Sequence, residues 1–147
     1  MKKKMFAVTI LIIVAILIID ANIKNTDYGN PDEYLKDIES TWGIDLKRAE
    51  KIIYYNNDQS GWHGDGYIYT VIKYNEVKPE GLFKWRKMDE KTVKEINACL
   101  DHLDVEKEER PRYKQCLYYS KEKEQDELYI LREKNDQKKL YVLELLI

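Results

Sequence analysis

Residues 112–146 read RYKQCLYYSKEKEQDELYILREKNDQKKLYVLELL, and this stretch decides the fold. Three runs within it, 112–120, 127–133 and 139–146, are rich in Tyr, Leu, Ile and Val. Aromatic and branched side chains suit a pleated strand. The connectors 121–126 and 134–138 are short and charged, and Asn135-Asp136 suits a tight turn. The stretch is therefore predicted to be an antiparallel meander.

Upstream, residues 50–57 (EKIIYYNN) and 66–75 (GYIYTVIKYN) read as two more strands. The turn-rich segment 58–65 (DQSGWHGD) between them makes a hairpin with a long loop. Two helices are expected. Asn30 can cap the first, with Pro31 in its first turn, Tyr34, Leu35, Ile38 and Trp42 on one face and Gly43 as its stop. Asp89 can cap the second, with Val93, Ile96, Leu100 and Leu103 on one face and Cys99 beside it. Lys78-Pro79-Glu80-Gly81 is a turn, after which Leu82, Phe83 and Trp85 form a short strand or cover the core. The predicted order is helix, two strands, helix, three strands. That order gives an α+β fold, an antiparallel sheet with its helices on one face.

The N-terminus places this domain relative to a membrane. Lys2, Lys3 and Lys4 precede an apolar run at residues 5–19, closed by Asp20. At ~1.5 Å per residue the run spans about 22 Å, short of a hydrocarbon core of roughly 30 Å. Lys4 snorkelling and residues 20–23 lying in the interface close the gap. The three lysines stay inside, so the chain beyond Asp20 is expected outside. Small residues in an A-x-A-like arrangement are missing, which favours a retained transmembrane signal-anchor over a secreted, cleaved form. The expected organisation is a transmembrane segment at 1–20, a linker at 21–30 and an extracytoplasmic domain at 31–147. The lipid bilayer is then a partner through residues 5–19.

Composition narrows the remaining choices. The three lysines aside, 22 basic side chains face 27 acidic ones, a net of −5, and no basic patch stands out. Nucleic acid is not an expected partner. Twelve Tyr and three Trp against two Phe suit strands that are half buried and half wet, surfaces that also bind protein or glycan. Cys99 and Cys116 form a candidate disulfide in an oxidising compartment. Closing their loop is worth ~3 kcal/mol in the chain-entropy treatment. The mixed-sign runs 106–110 and 121–127 read as solvated turns.

One cluster bears on function. In Ser60-Gly-Trp-His-Gly-Asp-Gly66, three glycines bracket Trp62, His63 and Asp65. Three uses of these residues compete. His63 and Asp65 can simply hold the loop by bonding its backbone. Trp62, His63 and Asp65 can bind a partner, with Trp85 as a weaker addition, since loops on rigid scaffolds carry binding. His63 and Asp65 can also serve as an acid–base pair or metal ligands. A zinc site needs three or four protein ligands, and the only other histidine is His102, so no metal and no cofactor are expected. Asp58 could offer a further oxygen, but its spacing is not that of an EF-hand.

From Ser40-Thr-Trp-Gly through Gly61-Trp-His-Gly-Asp-Gly66 to Lys73-Tyr74, the chain resembles a loose group of small secreted or membrane-anchored proteins of Gram-positive bacteria. In that group an aromatic residue followed by His-Gly-Asp-Gly lies between two strands. The resemblance implies an extracytoplasmic bacterial protein and carries over no catalytic residue.

The function expected from the sequence is therefore a binding or interaction domain at the outer face of a bacterial membrane, contacting an envelope protein or glycan. Two alternatives stand beside it. One is an envelope enzyme or metal-dependent module using His63 and Asp65. The other is an immunity-type or inhibitor protein.

Overall fold

Helix α1 (Pro31–Trp42) starts and stops where its sequence dictates. Asn30 Oδ1 accepts the backbone N–H of Asp32 at 3.0 Å, and Pro31 fills the first turn, where a missing N–H costs nothing. Gly43 ends the helix at φ 64°, and its N–H donates to the Glu39 carbonyl at 2.8 Å. The predicted face of Tyr34, Leu35, Ile38 and Trp42 is buried. The computed structural model describes residues 30–46, 49–59, 64–76 and 83–147. The expected membrane segment at 1–20 and linker positions 21–29 lie outside the described residues. Among the described residues, no helix is long and apolar enough to cross a membrane.

The hairpin of β1 (Lys51–Asp58) and β2 (Gly66–Lys73) and the meander of β4 (Cys116–Lys123), β5 (Asp126–Glu133) and β6 (Asp136–Leu146) form as expected. Between them lie β3 (Arg86–Lys87), a two-residue strand, and α2 (Glu90–His102). All pair into one antiparallel sheet of order β1-β2-β6-β5-β4-β3. The chain's last strand is thus central: β6 lies against β2, with Val142 opposite Thr70, and joins hairpin to meander.

Two expectations need correction. The first concerns order. The edge strand β3 adds a sixth member, and β4 begins at Cys116 rather than 112, because Tyr113–Gln115 forms a 3-10 turn. The second concerns layers. The helices do not share a face. Helix α1 packs with Ile72, Leu128, Ile130, Leu140 and Val142. Helix α2 packs with Tyr69, Val71, Tyr129, Leu131, Tyr141 and Leu143. Successive strand residues point to opposite faces, so these two sets lie on opposite sides of the sheet. The physical cause is the continuous apolar character of Leu128–Leu131 and Leu140–Leu143. A sheet with one wet face alternates apolar and polar residues, whereas an uninterrupted run must be covered on both sides. Tyrosines expected to be half wet are accordingly buried at 69, 118, 129 and 141.

The helices cross the sheet in opposite directions. Near the start of α1, Tyr34 lies edge-on to Tyr55 of β1, with ring centres 6.3 Å apart. At its end the Trp42 and Thr41 carbonyls accept from Lys121 and Lys123 of β4. The run 121–127 is therefore not merely solvated, since two of its lysines bond the electronegative end of a helix. Helix α2 starts beside β4, where Tyr118 donates to the capping carboxylate of Asp89 at 3.2 Å. It ends beside β1, where Asn56 Nδ2 donates to the Leu103 carbonyl at 2.7 Å. Arg110, also expected in solvent, folds back on that end and donates to Val105 O, Leu100 O and Asp101 Oδ1.

Candidate functional site

The glycine-rich loop springs from the sheet at the end of α2. Its two feet are the last residues of β1 and the first of β2. At Gly66, φ is 149° and a Cβ would overlap the carbonyl oxygen of Asp58. Only glycine permits so close an approach of two backbones. Across the same base, Gln59 Nε2 donates to the Gly64 carbonyl at 3.3 Å, while Asn57 Nδ2 donates to Gln59 Oε1 at 3.2 Å. The base is closed by both backbone packing and side-chain bonds.

The structure places an imidazole–carboxylate pair at this base. His102, the last residue of α2, sets Nε2 2.8 Å from Asp58 Oδ2. An ionised carboxylate only accepts, so the ring nitrogen is the donor. The imidazole also lies edge-on to Tyr67, with ring centres 5.0 Å apart. Both partners reach solvent, the side chains being 55 % and 38 % exposed. His63 and Asp65 are the candidates that proximity in the chain suggests; among the described residues the pair that meets is His102 and Asp58. His102 and Asp58 are 44 positions apart and meet only because α2 crosses the sheet to β1. An Asn-x-Asp spacing on β1 aligned with the end of a capped helix was the available signal.

Of the predicted site residues, Asp65 is exposed at the mouth of the loop. Trp62 and His63 lie outside the described residues. Among the described residues, Trp85 is not brought to the loop. It packs on the α1 side of the sheet beside Phe83, with the Arg132 guanidinium 4.8 Å from its ring centre. Cys99 and Cys116 are both buried free thiols in the cluster beneath α2. Burial pushes the Cys99 thiol up to about 11 and the Cys116 thiol up to about 12, which disfavours the reactive thiolate. No group of three or more His, Cys, Asp or Glu that could hold a metal ion occurs among the described residues.

Comparison with protein-family models, curated proteins and solved structures returns no match.

Proposed function

We propose that this chain is a binding domain, held at the outer face of a bacterial membrane by residues 5–19, that recognises an envelope protein or glycan through the loop bearing Trp62, His63 and Asp65. One observation carries this reading: the loop's feet are locked by the Gly66–Asp58 backbone contact and by the Asp58–His102 bond. A loop that ends on a fixed frame loses less entropy when it binds. Trp62 supplies an aromatic anchor of the kind that dominates binding interfaces, and exposed Asp65 supplies charge at the mouth. The resemblance to secreted and anchored proteins of Gram-positive bacteria supports the same location.

Photo-crosslinking in intact cells tests this. A photoreactive phenylalanine at position 62 is compared with one at Glu122, an exposed position on β4 at the other side of the sheet. A discrete adduct from position 62 alone is expected. Identical patterns from both positions contradict the reading.

A second reading, an envelope enzyme, is favoured by the His102–Asp58 pair. A carboxylate-oriented imidazole can take a proton near neutral pH. If the crosslinked species is chemically altered by the wild-type chain and not by His102→Ala, this reading displaces the first.

A further inference from the structure

The opposite end of α2 holds a different feature. Where the helix begins, beside β3 and the Tyr113–Gln115 turn, a groove of about 550 Å³ opens to solvent. Its apolar wall is Met88, Val93, Tyr113 and Cys116. Val93 was expected in the core, but the buried face of α2 is Thr92, Ile96, Cys99 and Leu100, which leaves Val93 half exposed. The polar groups of this wall are already engaged. The Tyr113 hydroxyl donates to Asn97 Oδ1 at 2.8 Å, and the Cys116 thiol donates to the Arg112 carbonyl at 3.4 Å. The wall therefore offers apolar surface to an occupant and asks for no hydrogen bond.

The rim has the opposite chemistry. Lys87, Lys94, Lys114 and Lys134 line it, all exposed. None of the four is in an ion pair with another described residue. Two acids line the same groove, Asp89 and Glu90. The Asp89 carboxylate is occupied as the helix cap, accepting from Thr92 and Tyr118, and its bonds from Thr92 hold it below the usual carboxylate range. This cap also takes one of the free N–H groups of the helix start, so the lysines are the groove's means of attracting an anion. Four lysines at one groove stand out on a chain whose formal net charge is −2.

We infer that this groove binds a long-chain fatty acid, its hydrocarbon along Val93, Met88 and Tyr113 and its carboxylate among Lys87, Lys94, Lys114 and Lys134. Size and charge both point there. The volume falls in the range of small-molecule sites, roughly 300–1,000 Å³. A stable protein interface needs about 800 Å² from each partner, more than ten lining residues around one groove provide. A neutral lipid would leave the lysine rim without a counter-charge. A small inorganic anion would leave the apolar wall wet. The inference rests on the groove alone and is independent of the reading of the glycine-rich loop.

The test uses the full chain in nanodiscs of zwitterionic lipid and a palmitic acid analogue carrying a photoreactive diazirine. After irradiation, labelled peptides are mapped by mass spectrometry. Label is expected in the peptides holding Met88, Val93 and Tyr113, competed by palmitic acid and not by the uncharged hexadecanol. The double variant K94E/K114E should reduce labelling about tenfold, the combined effect of two surface charge reversals. Because both lysines are exposed, the variant keeps its fold, which circular dichroism checks. Val93→Arg, which fills the wall, should abolish the label while leaving the lysines in place. Label spread over the surface, label confined to residues 1–29, equal competition by hexadecanol, or indifference to K94E/K114E would each overturn the inference.

Discussion

The two faces of this one sheet are built from different chemistry. Beneath α1 the sheet offers aliphatic side chains, Ile72, Leu128, Ile130, Leu140 and Val142, capped by Trp42. Into this apolar layer the fold sets one carboxyl, Glu144, which accepts from Trp42 Nε1 at 2.8 Å and from the Tyr34 hydroxyl at 3.2 Å. Beneath α2 the sheet offers tyrosines. Their rings are buried while their hydroxyls reach carboxylates: Tyr129 to Glu95, Tyr141 to the buried Glu133 and Tyr118 to Asp89. The contrast shows how one sheet can separate tasks. The α1 face is a largely aliphatic layer with few buried polar groups, Glu144, Thr70 and Arg132 among them. The α2 face is a bonded layer that fixes a helix at both ends, and both candidate sites lie at those ends.

Mutations can break or sharpen this contrast. The largest effect is expected from Trp42→Ala, which opens a cavity under α1 and strips Glu144 of a donor. A loss of about 4–5 kcal/mol should appear in urea unfolding. On the other face, Glu133→Gln removes the negative charge and one of the two oxygens that accept from Tyr141 and from the Arg112 guanidinium and backbone N–H. Glu133 is 3 % exposed but Arg112 is 65 % exposed, so solvent screens the pair and the cost should be nearer 2 kcal/mol.

The two buried carboxyls should also respond oppositely to pH. At Glu133, burial alone would raise the pKa, but the bonds from Arg112 and Tyr141 outweigh it and hold the carboxyl below its usual range. Its contribution is present above the unfolded value and is lost as pH falls through the folded one. At Glu144, burial dominates and raises the pKa despite Trp42 and Tyr34. Its contribution is present below the unfolded value and is lost as pH rises through the folded one. Glu144→Gln should therefore gain on wild type as pH climbs from the acid side of the ordinary carboxylate range, whereas the deficit of Glu133→Gln should shrink as pH falls. Paired pH–stability curves check both. The smallest effect is expected from Lys121→Ala, which removes a cation from the Trp42 carbonyl at the end of α1. About 0.5–1 kcal/mol is expected from thermal or urea unfolding.

Local signals were legible in the sequence. Asn30, Gly43 and Asp89 act as the predicted helix caps, and the hairpin and meander strands lie close to where Tyr, Ile and Leu cluster. The layer arrangement is also written there, in the unbroken LYIL and LYVL of β5 and β6, whereas the tyrosine-rich composition points to a half-wet sheet with both helices on one side. Long-range meetings were not legible. Nothing local tells Glu144 that Trp42 lies above it, or Arg110 that it will wrap the end of α2. His102 and Asp58 likewise meet only through the crossing of α2, so no local spacing reveals that pair. Val93 fits the helical period as well as Ile96 does. Its place on the groove follows from the face α2 turns to the sheet, which is Thr92, Ile96, Cys99 and Leu100.

Partner recognition by the glycine-rich loop, as proposed, requires that its locked base stabilises the fold and that Trp62, His63 and Asp65 do not. Thermal unfolding of the full chain carrying Trp62→Ala, His63→Ala and Asp65→Ala together tests it most directly, with Gly66→Ala measured beside it. The triple variant is expected to melt within about a degree of wild type while Gly66→Ala melts several degrees lower, an effect of ~1 kcal/mol or more for a domain of this size. A triple variant that melts several degrees lower would contradict the claim, because the tip residues would then be holding the loop rather than waiting for a ligand.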